Sequence, residues 1–372
     1  MALPIIIIIS CISCYSLVIL LFSSGLGLPK LPPAQVKGNS LKVSVIIPFH
    51  NEAENLPFLV RDLLAQSYPK SMYEVVFVDD HSNDGSGSVL DSMVSGIPGF
   101  SHLPLLPEKS GKKAALYQGI QHASYERLIQ VDADCRLGPQ FLASHMDFLE
   151  KHPSDLVAGL LRTTIGKGGF LEAFERLDLM ALSGTGAGSF GIGRPMMCSG
   201  ANLAYSRDLY MDTRVYDPVE TTESGDDMFL MIGARKLNRT LSFNTAFEAC
   251  VDTAPTPSFR ALLSQRIRWG AKSNRYRMAD IQLLALLVAL TNLAVLLMPL
   301  WYFLYTADWP WLAGAWILKT LVDFLLIYRV SGLWQQRAGL LWFLPVSLAY
   351  YPVFFLSLVG SLLGRSRWKR AV

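Results

Sequence analysis

Residues 4–22 read PIIIIISCISCYSLVILLF, a mostly apolar run without a single charge. In hydrocarbon, every backbone N–H and C=O must find its partner inside the segment, so a run of this length can only be a helix. Three more apolar stretches follow, over residues 281–305, 311–328 and 340–363, flanked by Trp and Tyr as interfacial belts are. The chain is therefore expected to be a multi-pass membrane protein. The first stretch is read as a retained anchor and not a cleaved signal, because no basic residue precedes Ile5 and no clear small-x-small cleavage site follows.

Lys and Arg set the expected orientation. Lys30, Lys37 and Lys42 follow the first stretch, and Arg260, Arg266, Arg268, Lys272, Arg275 and Arg277 precede the second. The positive-inside rule then puts residues 30–280 on the cytoplasmic side of the inner (plasma) membrane. Three later crossings would leave the basic tail RSRWKR outside, which the same rule disfavours, so one of the three is expected not to cross. Lys319 and Asp323 stand four apart in the middle stretch. They either pair inside a helical bundle or mark a segment lying at the interface.

The expected boundaries are an anchor over 1–28, a Pro-rich linker over 29–41, a cytoplasmic domain over 42–280, membrane helices over 281–364 and a basic tail over 365–372. The five cysteines are scattered, as in a reducing compartment. Cys11 and Cys14 form a C-x-x-C inside the apolar run with no second pair, so neither zinc nor redox chemistry is expected. The net charge of +3 is concentrated near the membrane ends and suits anionic headgroups, not nucleic acid.

Within the middle part, KVSVIIP and YEVVFVDD are continuous β-branched runs bounded by turn residues, the pattern of strands buried on both faces. EAENLPFLVRDLLAQ has helical spacing, DHSNDGSGS is a turn-rich loop, SVLDSMV and KKAALYQGIQHA read as helices, and ERLIQVD as a third strand. This alternation predicts an α/β domain with a parallel sheet and helices on its faces, whose ligands bind beyond the carboxyl ends of the strands.

Two acidic strand ends, Asp79–Asp80 and Asp132–Asp134, fall at that edge. A carboxylate beside apolar surface is costly unless something positive meets it. Mg²⁺ or Mn²⁺ takes one or two protein carboxylates and completes its shell with phosphate oxygens and water, so a metal diphosphate would account for the Asp-x-Asp at residues 132–134. The plainer reading is a pair of caps or solvated loop acids. Group transfer at such a diphosphate would also need a general base. Asp227 could serve, although Asp226 and Asp227 equally suit the first turn of a helix. Arg268 and Trp269 would also suit a juxtamembrane anchor, a use that can coexist with a role at the site.

PFHNE, VDDHSNDGS, KSGKKAALYQG, VDAD, CSGANLAYSRDLY, SGDDMFL and QRIRW occur in that order, and here residues 42–270 resemble the inverting family 2 glycosyltransferases of GT-A fold. Gln265, Arg268 and Trp269 match the QxxRW motif of the membrane-bound members, which include processive polysaccharide synthases and ceramide glucosyltransferases. The resemblance implies a GT-A domain with N- and C-terminal transmembrane helices, a nucleotide-sugar donor (a UDP-sugar), and Mg²⁺ or Mn²⁺. It also implies roles for individual residues. Pro48, Asn51, Glu52 and Asp80 would lie at the nucleotide, with Asp80 reading the base. Lys112 would lie near the donor phosphates, and Asp132 and Asp134 at donor and metal, with Asp134 the direct ligand. Gly200 would lie on the acceptor side. Asp227 would be the general base with Asp226 beside it, the latter standing where many members have Glu. Gln265, Arg268 and Trp269 would close over donor and acceptor.

The expected activity is transfer to a lipid or lipid-linked acceptor. A processive synthase exporting a β-linked glycan is the alternative, and a non-catalytic membrane sugar-nucleotide sensor a second one. Three other patterns are set aside. Asp80, Ser82, Asp84, Gly85 and Asp91 have EF-hand spacing, but a strand precedes them where a helix is needed. Gly186, Gly188 and Gly191 spell G-x-G-x-x-G without a preceding strand, and are read as giving a loop the backbone freedom it needs where an acceptor passes close to the chain, with residues 182–199 also expected to shape donor selectivity. His50 is read as a loop histidine.

Overall fold

The structure, a computed structural model, describes residues 3–26, 41–164, 166, 168–214, 225–272 and 275–363. Linker residues 29–40, with Lys30 and Lys37, and the tail 365–372 lie outside the described residues. In chain order the first elements are α1 (Leu3–Gly25), β1 (Val43–Phe49), α2 (Leu56–Leu64), β2 (Tyr73–Asp79), α3 (Ser86–Val94), β3 (Phe100–Pro104), α4 (Lys112–His122), β4 (Arg127–Gln130), β5 (Cys135–Leu137) and α5 (Phe141–Lys151). There follow β6 (Leu156–Gly159), β7 (Leu161–Thr163), α6 (Phe170–Gly191), β8 (Leu203–Ser206), α7 (Arg207–Thr213), α8 (Asp226–Lys236), β9 (Leu241–Asn244) and β10 (Val251–Thr253). The chain ends in α9 (Phe259–Gly270), α10 (Ala279–Leu296), α11 (Met298–Leu304), α12 (Trp309–Leu333) and α13 (Phe343–Leu362).

Two compact units form: residues 28–164 with 197–254, and residues 1–27 with 165–196 and 255–372. The first is α/β. Its seven-stranded sheet has the order β3-β2-β1-β4-β8-β6-β9, and β5, β10 and β7 make a second, three-stranded sheet. The strands β1 to β4 pair in parallel, as the continuous apolar runs predict. The all-parallel expectation is corrected further along: β8 runs antiparallel to both β4 and β6. The short segment 203–206 enters the sheet after α6 in the antiparallel sense, which β-branched runs alone could not reveal. Val43, Val45, Ile47, Val75, Phe77 and Ile129 are wholly buried in the core beneath α2, α3 and α5, so the parallel edge is rigid where its loops emerge.

The second unit is helical. Among the described residues, four helical segments are long and apolar enough to cross a membrane: Leu3–Gly25, Ala279–Leu296, Trp309–Leu333 and Arg337–Leu362. The expected run over 281–305 is interrupted, with α10 giving way to α11 at Met298–Pro299, since proline has no N–H to continue the helical ladder. Lys319 is 2% exposed and donates to Asp323 at 2.6 Å, while Tyr15 of α1 donates to the same carboxylate at 2.8 Å. The bundle reading of this pair therefore holds, because the charges satisfy one another inside the helices.

The expected loop over 182–199 is largely helix: α6 runs to Gly191. Its glycines serve close packing and not chain flexibility. A Cβ on Gly188 would strike the Phe22 backbone of α1, one on Gly191 the Gly25 carbonyl, and one on Gly184 would lie 2.7 Å from Val330 Cγ2 of α12. Gly184, Gly188 and Gly191 share one helix face, the small-residue spacing that lets helices approach backbone to backbone.

Candidate functional site

The loops after β1 and β2 are stitched together. Asn51, at φ 56°, is one of the few non-glycine residues in the left-handed region, which short amides tolerate. Its backbone N–H donates to Ser82 Oγ at 2.9 Å, and its side-chain oxygen accepts the Asn83 N–H at 2.8 Å. The Glu52 N–H donates to Ser86 Oγ, and the Glu52 carboxylate accepts from Asn55 at 2.6 Å. Pro48 pairs with Val78 within the sheet just before this loop. His50 Nδ1 lies 2.6 Å from the Asp80 carbonyl, so that nitrogen must carry the proton, a carbonyl being only an acceptor. His50 is thus a loop brace, as expected.

The EF-hand spacing has no calcium geometry. Strand β2 precedes it, Asp84 accepts the N–H groups of Ala53 and Ser86, and Asp91 pairs with His102 at 2.8 Å.

Asp80, just past β2, turns both carboxylate oxygens to the Gly111 N–H at 2.9 Å. Burial pushes its carboxyl upward, and the Gly111 hydrogen bond opposes that shift. Gly111, at φ 92°, opens α4 and delivers Lys112 as the first helical residue. Lys112 Nζ donates to Asp132 Oδ1 at 2.5 Å. Burial would lower this ammonium, but the charges of Asp132, Asp226 and Asp227 and the Asp132 hydrogen bond hold it well above the ordinary lysine value.

After β4, Ala133 is buried and turns inward, leaving Asp132 and Asp134 on the outer side of the turn. The Asp134 side chain is open to solvent yet crowded. Desolvation by its surroundings and the charge of Asp132 raise its carboxyl, while Lys112 opposes them.

Asp226 and Asp227 form the first turn of α8, behind Gly225 at φ 100°, where the helix dipole favours acids. They are not equivalent. Asp226 is 9% exposed and accepts a 2.6 Å bond from Gln130 Nε2. Burial would raise its carboxyl, but Lys112 and Gln130 hold it below the usual range. Asp227 is more open, and accepts the Gly200 N–H at 3.0 Å and the Met228 N–H at 2.7 Å. A Cβ on Gly200 would meet Gln130 Nε2 at 2.9 Å, Asp226 Oδ2 at 3.3 Å and Asp227 Cβ at 3.4 Å. A side chain here would force Gln130 to shift away from its place beside the two acids.

Asp80, Lys112, Asp132, Asp134, Gly200, Asp226 and Asp227 are thus linked into one constellation at the carboxyl edge of the parallel strands, next to the Pro48–Glu52 loop. Gln265, Arg268 and Trp269 belong to the other unit, on α9, with Trp269 38% exposed. Gln130 and Tyr205, whose hydroxyl donates to Gln130 Oε1 at 3.2 Å, were not anticipated. The signal available was a glutamine in the apolar strand LIQV, since a buried amide must be satisfied by something nearby. Among the described residues, no three acid, His or Cys side chains converge to hold a metal alone. The constellation nonetheless carries more carboxylates than ammonium groups. Asp132 and Asp134 offer the hard oxygen donors that suit a divalent cation completed by ligand oxygens.

Residues 44–214 match Glycosyl transferase family 2. Among curated relatives, glycosyltransferase AglE of Haloferax volcanii is 36% identical over 138 residues, 37% of this chain and 44% of that protein. An undecaprenyl-phosphate 4-deoxy-4-formamido-L-arabinose transferase of Sodalis glossinidius is 29% identical over 162 residues, 36% of this chain and 49% of that protein. The chain therefore spans less than half the length of these relatives. Among solved structures, a mannosyltransferase from Pyrobaculum calidifontis in complex with GDP-Man and Mn²⁺ superposes with a TM-score of 0.59 at 19% identity, covering 90% of this chain and 100% of that one. The α/β unit has the GT-A fold.

Proposed function

We propose that the protein is an inverting glycosyltransferase that moves a sugar from a nucleotide-diphospho-sugar to a lipid or lipid-linked acceptor at the membrane. The observation that carries this reading is the run of contacts from Asp80 through Gly111 and Lys112 to Asp132, with the charges of Asp226 and Asp227 also acting on Lys112, which supports a nucleotide reader, a phosphate counter-charge and a base in one place. The match to family 2 supports the transfer chemistry. The undecaprenyl-phosphate relative supports a lipid-linked acceptor, and the four long apolar helices suit such an acceptor.

In this reading Asp80, Asn51 and Glu52 hold the nucleoside end. Lys112 stays protonated and faces the departing diphosphate. Asp227 accepts the proton of the acceptor hydroxyl as its oxygen bonds to the anomeric carbon, and the bond from that carbon to the diphosphate oxygen breaks. Asp226, held ionised by Lys112 and Gln130, orients the first turn of α8 and leaves the base role to its more open neighbour. Asp134 and Asp132 would hold Mg²⁺ or Mn²⁺, which when bound neutralises the leaving diphosphate. Gln265, Arg268 and Trp269 act on donor and acceptor.

The test is to incubate membranes containing the full chain with labelled UDP-glucose, UDP-GlcNAc or GDP-mannose and to separate organic-soluble product from high-mass polymer. Organic-soluble label is the expected result. Polymer would replace the lipid acceptor with processive synthesis, and absence of product from every donor would favour a sensor.

A further inference from the structure

Helix α6 carries three acids on one buried stripe, at residues 172, 175 and 178, and each grips a different segment of its unit. The Glu172 carboxylate accepts the N–H groups of Gly166 and Gly168, both at 2.8 Å, and pairs with Arg176 at 2.5 Å. Glu175 accepts from Thr256 twice, from its N–H at 2.7 Å and its hydroxyl at 3.0 Å. Asp178 Oδ2 lies 2.6 Å from Arg266 Nε, with both side chains largely buried. The last two contacts pin α9 at two places. Thr256 lies two residues ahead of Ser258, whose hydroxyl caps the helix by accepting the Ala261 N–H, and Arg266 lies in the middle of the helix. On another side, Gly360 of α13 leaves room for Ile267.

Arg266 touches three things at once. Besides Asp178, its Nη1 donates to Gln265 Oε1 at 3.0 Å, and its guanidinium lies 4.2 Å over the Trp269 ring. A planar guanidinium can do both, and an ammonium cannot reproduce the stack. Because a buried charge stripped of its partner is strongly unfavourable, Asp178 keeps Arg266 from swinging away. We propose that Arg266, clamped by Asp178, is a positioning residue that sets the side-chain directions of Gln265 and Trp269. This rests on the reading above, in which those two residues act on donor and acceptor, and it gives a task to the one arginine of QRIRW that the motif resemblance leaves unassigned.

The test uses the full chain in lipid nanodiscs, with the donor among UDP-glucose, UDP-GlcNAc and GDP-mannose that turns over, and hydrogen exchange across residues 259–270. Asp178→Asn and Arg266→Lys are expected to lower kcat by about tenfold with donor KM within about twofold, since misplacement penalises the reacting geometry more than binding. Asp178→Glu, which keeps the ion pair, is expected to remain near wild type in both readouts, whereas Asp178→Asn speeds exchange across 259–270. Equal losses in the Glu and Asn variants, or a change confined to KM, would overturn the proposal. If wild type turns over none of the donors, the transfer reading fails on its own, and unchanged exchange in Asp178→Asn would then still refute the clamp.

Discussion

At the scale of single residues, the difference between Asp226 and Asp227 arises from what touches them. Gln130, itself held by Tyr205, occupies Asp226, while Gly200 gives Asp227 a backbone donor and leaves it more open. Gly200→Ala would push a methyl against Gln130 Nε2 and both acids, and Gln130 cannot yield without releasing Asp226. We expect transfer to fall by about tenfold or more with nucleotide binding nearly kept, because the shift falls on the base and not on the donor loops. Parallel titration calorimetry and turnover assays would check it.

A second residue-level prediction concerns His145. It is wholly buried, with Nε2 3.0 Å from Asn202 Oδ1, and Asn202 in turn donates to the carbonyls of Leu160 and Ala249. Burial lowers the imidazole to about 4, against the partial opposition of the Asn202 bond. Between pH 6.5 and 4 the unfolded chain takes up a proton that the folded one refuses. Stability from this group is therefore complete above pH 6.5 and lost as the pH falls towards 4, by on the order of 3 kcal/mol. The fall in melting temperature from pH 7 to 5 should be smaller in His145→Gln than in wild type, and equal slopes would contradict it.

At the scale of elements, α6 is the instructive one. Gly188→Ala would drive a methyl into the Phe22 backbone, which cannot rotate away, so α1 and α6 must part. A loss of about 1–3 kcal/mol is expected, seen as a lower Tm in nanodiscs, whereas Gly314→Ala on α12, with open space around it and alanine the better helix former, should not lower Tm. The sequence alone suggests a loop here, because dense glycine signals freedom in a soluble chain and close packing in a helical bundle. Only the spacing of Gly184, Gly188 and Gly191 separates the two cases. β1, β2, β4, α2 and α4 were legible because burial on both sheet faces writes itself as unbroken β-branched runs and helical stripes. β8 was not, since four residues pairing antiparallel leave no such pattern. Likewise the acids of the site could be found by motif, whereas Gln130 and Tyr205 act only through contacts across the sheet.

At the scale of the whole molecule, a helical unit with four long apolar segments is joined in one chain to a GT-A unit whose carboxyl edge gathers acids around Lys112. If the carboxylate excess is there to receive a cation together with a diphosphate, UDP or GDP should bind the full chain at least about tenfold more tightly with Mn²⁺ than with chelator. Asp134→Asn should lose that increment while keeping the metal-independent part, and calorimetry would read both. The central claim, that Asp227 removes the acceptor proton beside a separately held donor, is tested most directly by measuring sugar transfer and donor binding side by side in Asp227→Asn. The account predicts transfer reduced by about a hundredfold or more with donor affinity within about twofold of wild type. Turnover near the wild-type rate in that variant would contradict it.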